Sequence, residues 1–290
     1  MRRPFPSFLH LLTLLGISMS LIACSSNPMG RIFDRDGDEE VVEEEAQDDR
    51  VSVLALQQAL TPNPRFIGQT LEVPPAFANN QWAQPGGEAD HVMHHLSLAE
   101  NLDRAWQARI GKGGQKRSPL TAPPVIADGR AYTVDTEAKV SAFDALSGDL
   151  LWQADLTPDL TDGPKRKFWQ IRRGLTASEI GFGGGVAYDD DMVFMVSGFG
   201  IAAAMHAATG DVLWQAELMA PVRNPPTAAN GKVFVVTTAN QIVALSQETG
   251  QTLWSHESFE ENARFLSNGS PAVQAGVVIA PFSSGEVVAL

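Results

Sequence analysis

One stretch, Pro226 to Trp254, is a phrase that the chain repeats. It runs Pro-Thr-Ala-Ala-Asn-Gly, then Lys-Val-Phe-Val-Val-Thr-Thr, then Ala-Asn-Gln-Ile-Val-Ala-Leu, then Ser-Gln-Glu-Thr-Gly, and closes on Gln-Thr-Leu-Trp. Short runs rich in Val and Ile, separated by turns bearing Gly and Asn, read as strands joined by hairpins. The same grammar recurs from Pro124 to Trp152 and again before Trp214. The register is strict: Tyr132, Phe194 and Phe234 each lie 20 positions before a tryptophan, and Gly148, Gly210 and Gly250 each lie four before it. A four-stranded sheet cannot bury both of its faces alone, so the copies must stack. Repeats of about 40 residues with four short strands predict an all-β fold, a β-propeller of four-stranded blades.

Each recurring residue has a physical role. Gly148, Gly210 and Gly250 supply the positive φ of the turn between the third and fourth strands. Ala142, Ala204, Ala244 and Ala289 share one position of the third strand, where facing sheets leave room for a small side chain. Trp106, Trp152, Trp214 and Trp254 are expected to end the outermost strand and lie over the neighbouring unit, each burying a large apolar area. Trp82 and residues 91–98 are expected to begin a first, degenerate unit closing at Trp106, which lacks the glycine four positions earlier. Leu290 falls inside a further unit. The expectation is therefore a piece of a longer protein, eight-bladed when complete, with about four and a half blades present here.

The N-terminus has a different design. Met1-Arg2-Arg3 precedes an apolar run from Phe8 to Ile22, and Leu21-Ile22-Ala23-Cys24 follows with small residues before the chain's single cysteine. Residues 1–23 have the layout of a secretory signal. Residues 24–50 hold ten acids against Arg31, Arg35 and Arg50, too charged and too poor in apolar area to order on their own, and read as a tether. Residues 51–290 form the propeller, with a strand or short helix expected at Val51–Leu60. The net charge of −13 argues against a nucleic-acid partner. His91, His94 and His95 sit on a stretch that reads as a strand, where such offsets spread side chains over both faces, so no metal site is expected. Between blades, residues 155–180 carry Lys165-Arg166-Lys167, Phe168-Trp169 and Arg172-Arg173 and read as a solvated loop. Gly181 to Gly185 lacks the context of a phosphate loop and reads as an inter-blade connection. No nucleophile, base and orienting group can be assembled, and no catalytic residue is assigned.

The form Ala-x-Asp-x-x-Ser-Gly-x-x-x-Trp at Ala142 to Trp152, with its variants ending at Trp214 and Trp254, resembles the repeat of quinoprotein alcohol dehydrogenases. The Leu21–Cys24 ending resembles a bacterial lipobox. Together they are similar to the family of propeller lipoproteins that serve the outer-membrane β-barrel assembly machinery. Ala220 to Pro226, Gly269 to Ala272 and Ser283 to Glu286 are similar to α-proteobacterial members. The resemblance implies lipidation of Cys24, sorting to the periplasmic face of the outer membrane, and a non-catalytic scaffold without cofactor. It implies binding to the barrel-inserting subunit and to unfolded outer-membrane proteins. By position it places the partner contact at Arg264, Phe265 and Leu266, before Ser270-Pro271, although Arg here precedes the apolar pair instead of following it. The alternatives are a quinone-dependent dehydrogenase, disfavoured because one cysteine cannot make the vicinal disulfide common in those enzymes, and a ligand-sensing propeller.

Overall fold

A computed structural model describes residues 63–70, 72–159, 176–259 and 269–290. Cys24, the residue 24–50 tether, Val51–Leu60, the basic cluster Lys165 to Arg173, and Arg264, Phe265 and Leu266 lie outside the described residues. The chain divides into two units, Met1–Gln69 and Thr70–Leu290. In the first, Asn63 caps a 3₁₀ turn at Pro64–Phe66 by accepting a hydrogen bond from the Arg65 amide at 3.0 Å. The second holds the repeats.

In this second unit, four antiparallel sheets follow one another along the chain. The first is β1 (Val125–Ala127), β2 (Arg130–Val134), β3 (Lys139–Asp144) and β4 (Leu150–Asp155). The second is β5 (Gly184–Asp189), β6 (Met192–Ser197), β7 (Ile201–His206) and β8 (Val212–Glu217). The third is β9 (Thr227–Ala229), β10 (Lys232–Val236), β11 (Gln241–Ser246) and β12 (Thr252–Glu257). The fourth has β13 (Ala272–Gln274), β14 (Val277–Pro281) and β15 (Val287–Ala289). Each is a meander in sequence order. A short helix, α1 (Ala177–Gly181), precedes β5 within the expected loop, its first turn closed by a capping box between Thr176 and Glu179.

The sheets are the blades of a β-propeller, and their burial follows from face-to-face stacking. Strands β6, β7, β10 and β11 are almost continuously buried, whereas β4, β8 and β12 are mostly exposed. A strand covered on both faces needs no polar alternation, while a rim strand keeps one side in water. Three apolar clusters fill the three interfaces: Tyr132, Val140, Val193 and Met195 between the first and second blades, Phe194, Val196, Val233 and Val235 between the second and third, and Phe234, Ile242, Val273 and Val278 between the third and fourth.

The 20-residue spacing has a geometric cause. Tyr132 pairs across to Ala142, and Ala142 pairs across to Trp152. Phe194–Ala204–Trp214 and Phe234–Ala244–Trp254 are the same row in the next two blades. Directly opposed residues share a face, so the two rings stand on either side of a methyl group and meet above it. Their centroids are 6.0, 6.2 and 5.9 Å apart. In every case the ladder slips by a bulge just after the alanine, which bends the outer strand and increases its twist.

Three expectations differ from the structure. Trp152, Trp214 and Trp254 do not end the outer strands; each is the third of six residues, with the strand running three residues further, and Trp106 lies in no strand. Trp82 and residues 91–98 do not begin a sheet. Phe77 and Leu96 form an isolated bridge, His91 and His94 take positive φ values of 59° and 22°, and Trp82 pairs with Ile126 at the open edge of β1. The left-handed histidines break the extended run that their apolar neighbours suggested. Gly184 and Gly185, read as a connection, belong to β5; at Gly184 a Cβ would stand 1.9 Å from the Val196 carbonyl oxygen, so the two strands exclude a side chain there.

Candidate functional site

The repeat residues meet across blades. The Trp152 indole Nε1–H donates to the Ala207 carbonyl of the second blade at 2.9 Å, and the ring lies over Gly210, where a Cβ would approach it to 2.5 Å. Trp214 does the same to the Gln247 carbonyl at 2.6 Å and to Gly250. Trp106 reaches the Ala145 carbonyl at 2.9 Å and covers Gly148. Each glycine thus serves twice: its φ, between 71° and 78°, closes the turn, and its missing side chain makes room for an indole from earlier in the chain. This also explains Trp106, whose partner glycine is Gly148 and not the residue four positions before it, Leu102. Trp254 borders a cavity of about 720 Å³ with Phe234, His256, Val273, Val278 and Leu290.

In an antiparallel meander, the turn between strands two and three and the segment after strand four emerge at one end of the sheet. That face bears the repeated contact in which the residue after the outer strand donates its amide to a turn residue. Leu156 donates to the Ala138 carbonyl at 3.3 Å, Leu218 to Gly200 at 2.7 Å, and Ser258 to Asn240 at 2.8 Å. The next residue is Thr157, Met219 and Phe259 in turn. Thr157 is partly buried, and its hydroxyl bonds the Glu137 carbonyl at 2.5 Å. Met219 and Phe259 are 92% and 81% exposed, at matching positions on consecutive blades. Large apolar side chains so exposed in a regular array mark a contact surface better than scattered ones do.

The backbone beneath them is fixed. Asn240, fully buried with φ 55°, donates from Nδ2 to the Phe259 carbonyl at 3.0 Å. Its Oδ1 accepts from the Ser283 amide at 3.1 Å and from the Ser283 hydroxyl at 2.6 Å. One side chain therefore ties the third and fourth blades and holds Phe259 in place. Arg223, four residues after Met219, is spent internally: its guanidinium lies 3.9 Å from the Phe182 ring centroid and bonds the Ile180 carbonyl at 3.3 Å and the Phe182 carbonyl. Burial presses its pKa below the ordinary arginine value. Met219 and Phe259 carry no motif that sequence reading could detect, although their shared offset from the outer strand was readable once blades were aligned. Among the described residues, no group of three or more His, Cys, Asp and Glu could hold a metal ion, and no helix is long and apolar enough to cross a membrane.

A family sequence model described as outer membrane protein assembly factor BamB matches residues 95–167 and 136–290. The outer membrane protein assembly factor BamB of Shewanella oneidensis is 28% identical over 186 residues, covering 63% of this chain and 44% of the relative. That of Burkholderia pseudomallei is 27% identical over 192 residues, covering 66% and 43%. The chain thus spans less than half the length of these relatives. The crystal structure of BamB from Moraxella catarrhalis overlaps 58% of this chain and 44% of that one, at 21% identity and a TM-score of 0.45.

Proposed function

The chain belongs to the family of outer membrane protein assembly factor BamB, and we propose that it is a non-catalytic scaffold assisting the folding and insertion of β-barrel proteins by binding the barrel-inserting subunit. The observation that carries this reading is the pair Met219 and Phe259, exposed at one register of consecutive blades over a hydrogen-bonded base. Aromatic and apolar anchors of this kind supply most of the energy of an interface, while the polar rim supplies little. Residues 260–268, with Arg264, Phe265 and Leu266, follow Phe259 directly in the chain, and we assign them to the same contact.

In this reading Cys24 carries the lipid that holds the protein at the periplasmic face of the outer membrane, and residues 24–50 are the tether. Unfolded barrel strands add to the open edges of β4, β8 and β12, the outermost strands of their sheets. A quinone-dependent dehydrogenase would hold its cofactor on the propeller axis, where the first strands are hydrogen-bonded instead to residues 82–89 of the same chain.

The test is titration of the intact lipid-free protein against the purified periplasmic domains of the barrel-inserting subunit. Met219→Glu with Phe259→Glu weakens binding by about 2 kcal/mol or more, and Arg264→Glu with Phe265→Ala does so by a similar amount. Melting temperatures stay near wild type in both. Normal binding by both double variants overturns the assignment.

A further inference from the structure

Strands β1, β5, β9 and β13 are the first strands of their sheets and neighbour one another in series. Each has one edge paired within its sheet and one edge open. An open edge presents backbone N–H and C=O groups that need partners wherever water is excluded. Here those partners come from one short segment. The Trp82 amide donates to the Ile126 carbonyl at 2.6 Å, and the Ile126 amide donates back at 2.8 Å. Next along the segment, the Ala83 carbonyl accepts from the Tyr188 amide at 2.8 Å. The Gln84 carboxamide stands in for a peptide group against Ala228, accepting its amide at 2.9 Å and donating to its carbonyl at 2.5 Å. The Ala89 carbonyl accepts from the Val273 amide at 2.7 Å. Asp90 then accepts from the Gln274 side chain at 3.2 Å.

Residues 82, 83, 84 and 89 therefore meet the first, second, third and fourth blades in chain order. Ile126, Ala228 and Val273 are the middle residues of their three-residue strands, so their backbone groups point away from the sheet they belong to. Between the third and fourth contacts the segment turns at Gln84-Pro85-Gly86-Gly87. Its ends are joined by the Gly87 amide to the Gln84 carbonyl at 2.8 Å and the reverse bond at 3.2 Å. Proline in the second place and Gly86 at φ 85° in the third fit a type II turn. Gln84 is 5% exposed, and Ala83 and Ala89 pack into the first and last interface clusters.

We propose that residues 82–90 are a built-in axial strap, which fixes the spacing of the four described blades and occupies their inner edges. A ligand at these inner edges would compete for backbone groups that the chain already satisfies. The strap acts as a unit because one continuous segment makes all four contacts.

Amide hydrogen exchange on the intact protein tests this, because one reporter amide lies in each blade: Ile126, Tyr188, Ala228 and Val273. In the wild type all four are protected. Gln84→Ala removes the third contact, and Gly86→Ala strains the turn without touching any blade. Each variant speeds exchange at all four amides together, by roughly tenfold, the scale of losing one or two hydrogen bonds, while amides of β2, β6 and β10 keep their rates. Acceleration confined to Ala228 in Gln84→Ala, or no response at the four sites in Gly86→Ala, overturns the strap. The turn variant keeps the question decidable if Gln84→Ala fails to fold.

Discussion

At the rim, Trp106, Trp152 and Trp214 make one contact three times over: an indole N–H on a neighbouring blade's carbonyl and a ring over its glycine. At the axis, residues 82–89 touch four blades by three different means: a paired backbone bridge at Ile126, a side-chain amide at Ala228, and single backbone carbonyls at Tyr188 and Val273. The rim device is copied with the repeat, so losing one copy loosens one interface. The axial device exists once, so a local change there spreads to every blade it reaches. Repetition distributes stability, and a single crossing segment couples the parts.

The largest effect should come from the rim. Trp152→Ala or Trp214→Ala lowers stability by about 3–5 kcal/mol in a denaturant titration, the range for a large aromatic cut back in a core. Gly250→Ala, which strains the turn and forces the Trp214 ring aside, costs about 2–4 kcal/mol. The Trp214→Ala, Gly250→Ala double variant costs less than the two added, because the collision disappears with the indole. Strict additivity would separate the glycine's two roles and break the rim half of the comparison.

At the axis, Gln84→Ala costs about 1–3 kcal/mol by leaving the Ala228 amide and carbonyl without partners. The rim variants leave the exchange of Ile126, Tyr188, Ala228 and Val273 ordered as in the wild type, whereas Gln84→Ala raises all four.

The smallest effects come from titration, and they fall on opposite sides of neutrality. Tyr132 is buried at the interface of the first two blades, with its hydroxyl donating to the Ala207 carbonyl at 3.3 Å and its ring stacked on Tyr188. Burial pushes its pKa from 10.0 to about 12. The folded state then keeps a proton that the unfolded chain releases, so stability present below pH 10 drains away as the pH rises towards 12. Tyr132→Phe removes that alkaline loss. His91 packs against the Gly86 turn of the strap, and its Nε2 is buried without a hydrogen-bond partner. Desolvation holds its pKa below 6.5, against the opposing pull of Asp90. The unfolded chain takes up the proton first, so stability falls as the pH drops below 6.5. His91→Asn, which keeps a side chain tolerant of positive φ, removes the part of the loss that sets in just below pH 6.5 in thermal melts and leaves the alkaline limb unchanged. A variant that altered both limbs would mean that rim and axis are one cooperative element.

The sequence carried the rim almost completely because its constraints are periodic. The aromatic, alanine and tryptophan of each row are spaced by strand lengths, and spacing is what a linear reading measures. The second use of Gly148, Gly210 and Gly250 was not legible, since it depends on a tryptophan dozens of residues earlier in the chain. The strap was less legible still. Trp82 and His91 resemble the start of a repeat in composition, and the left-handed turns at Gly86, Gly87, His91 and His94 redirect the chain. Met219 and Phe259 are apolar residues that a one-dimensional reading assigns to the interior, because burial is decided by the blade on either side and not by the residue.

The tryptophan contact also has a direction. The indoles of Trp152 and Trp214 each belong to one blade and the accepting carbonyl and glycine to the next, so such a blade's two faces are unlike surfaces, one a plug and one a socket. Association of this head-to-tail kind does not limit its own copy number, in contrast to the self-matching face of a two-fold dimer. A blade could be duplicated or deleted without inventing a new interface, since plug and socket travel together in one repeat. Ring size is then set by curvature and by whatever segment joins the two ends, and not by the chemistry of any one blade-to-blade contact.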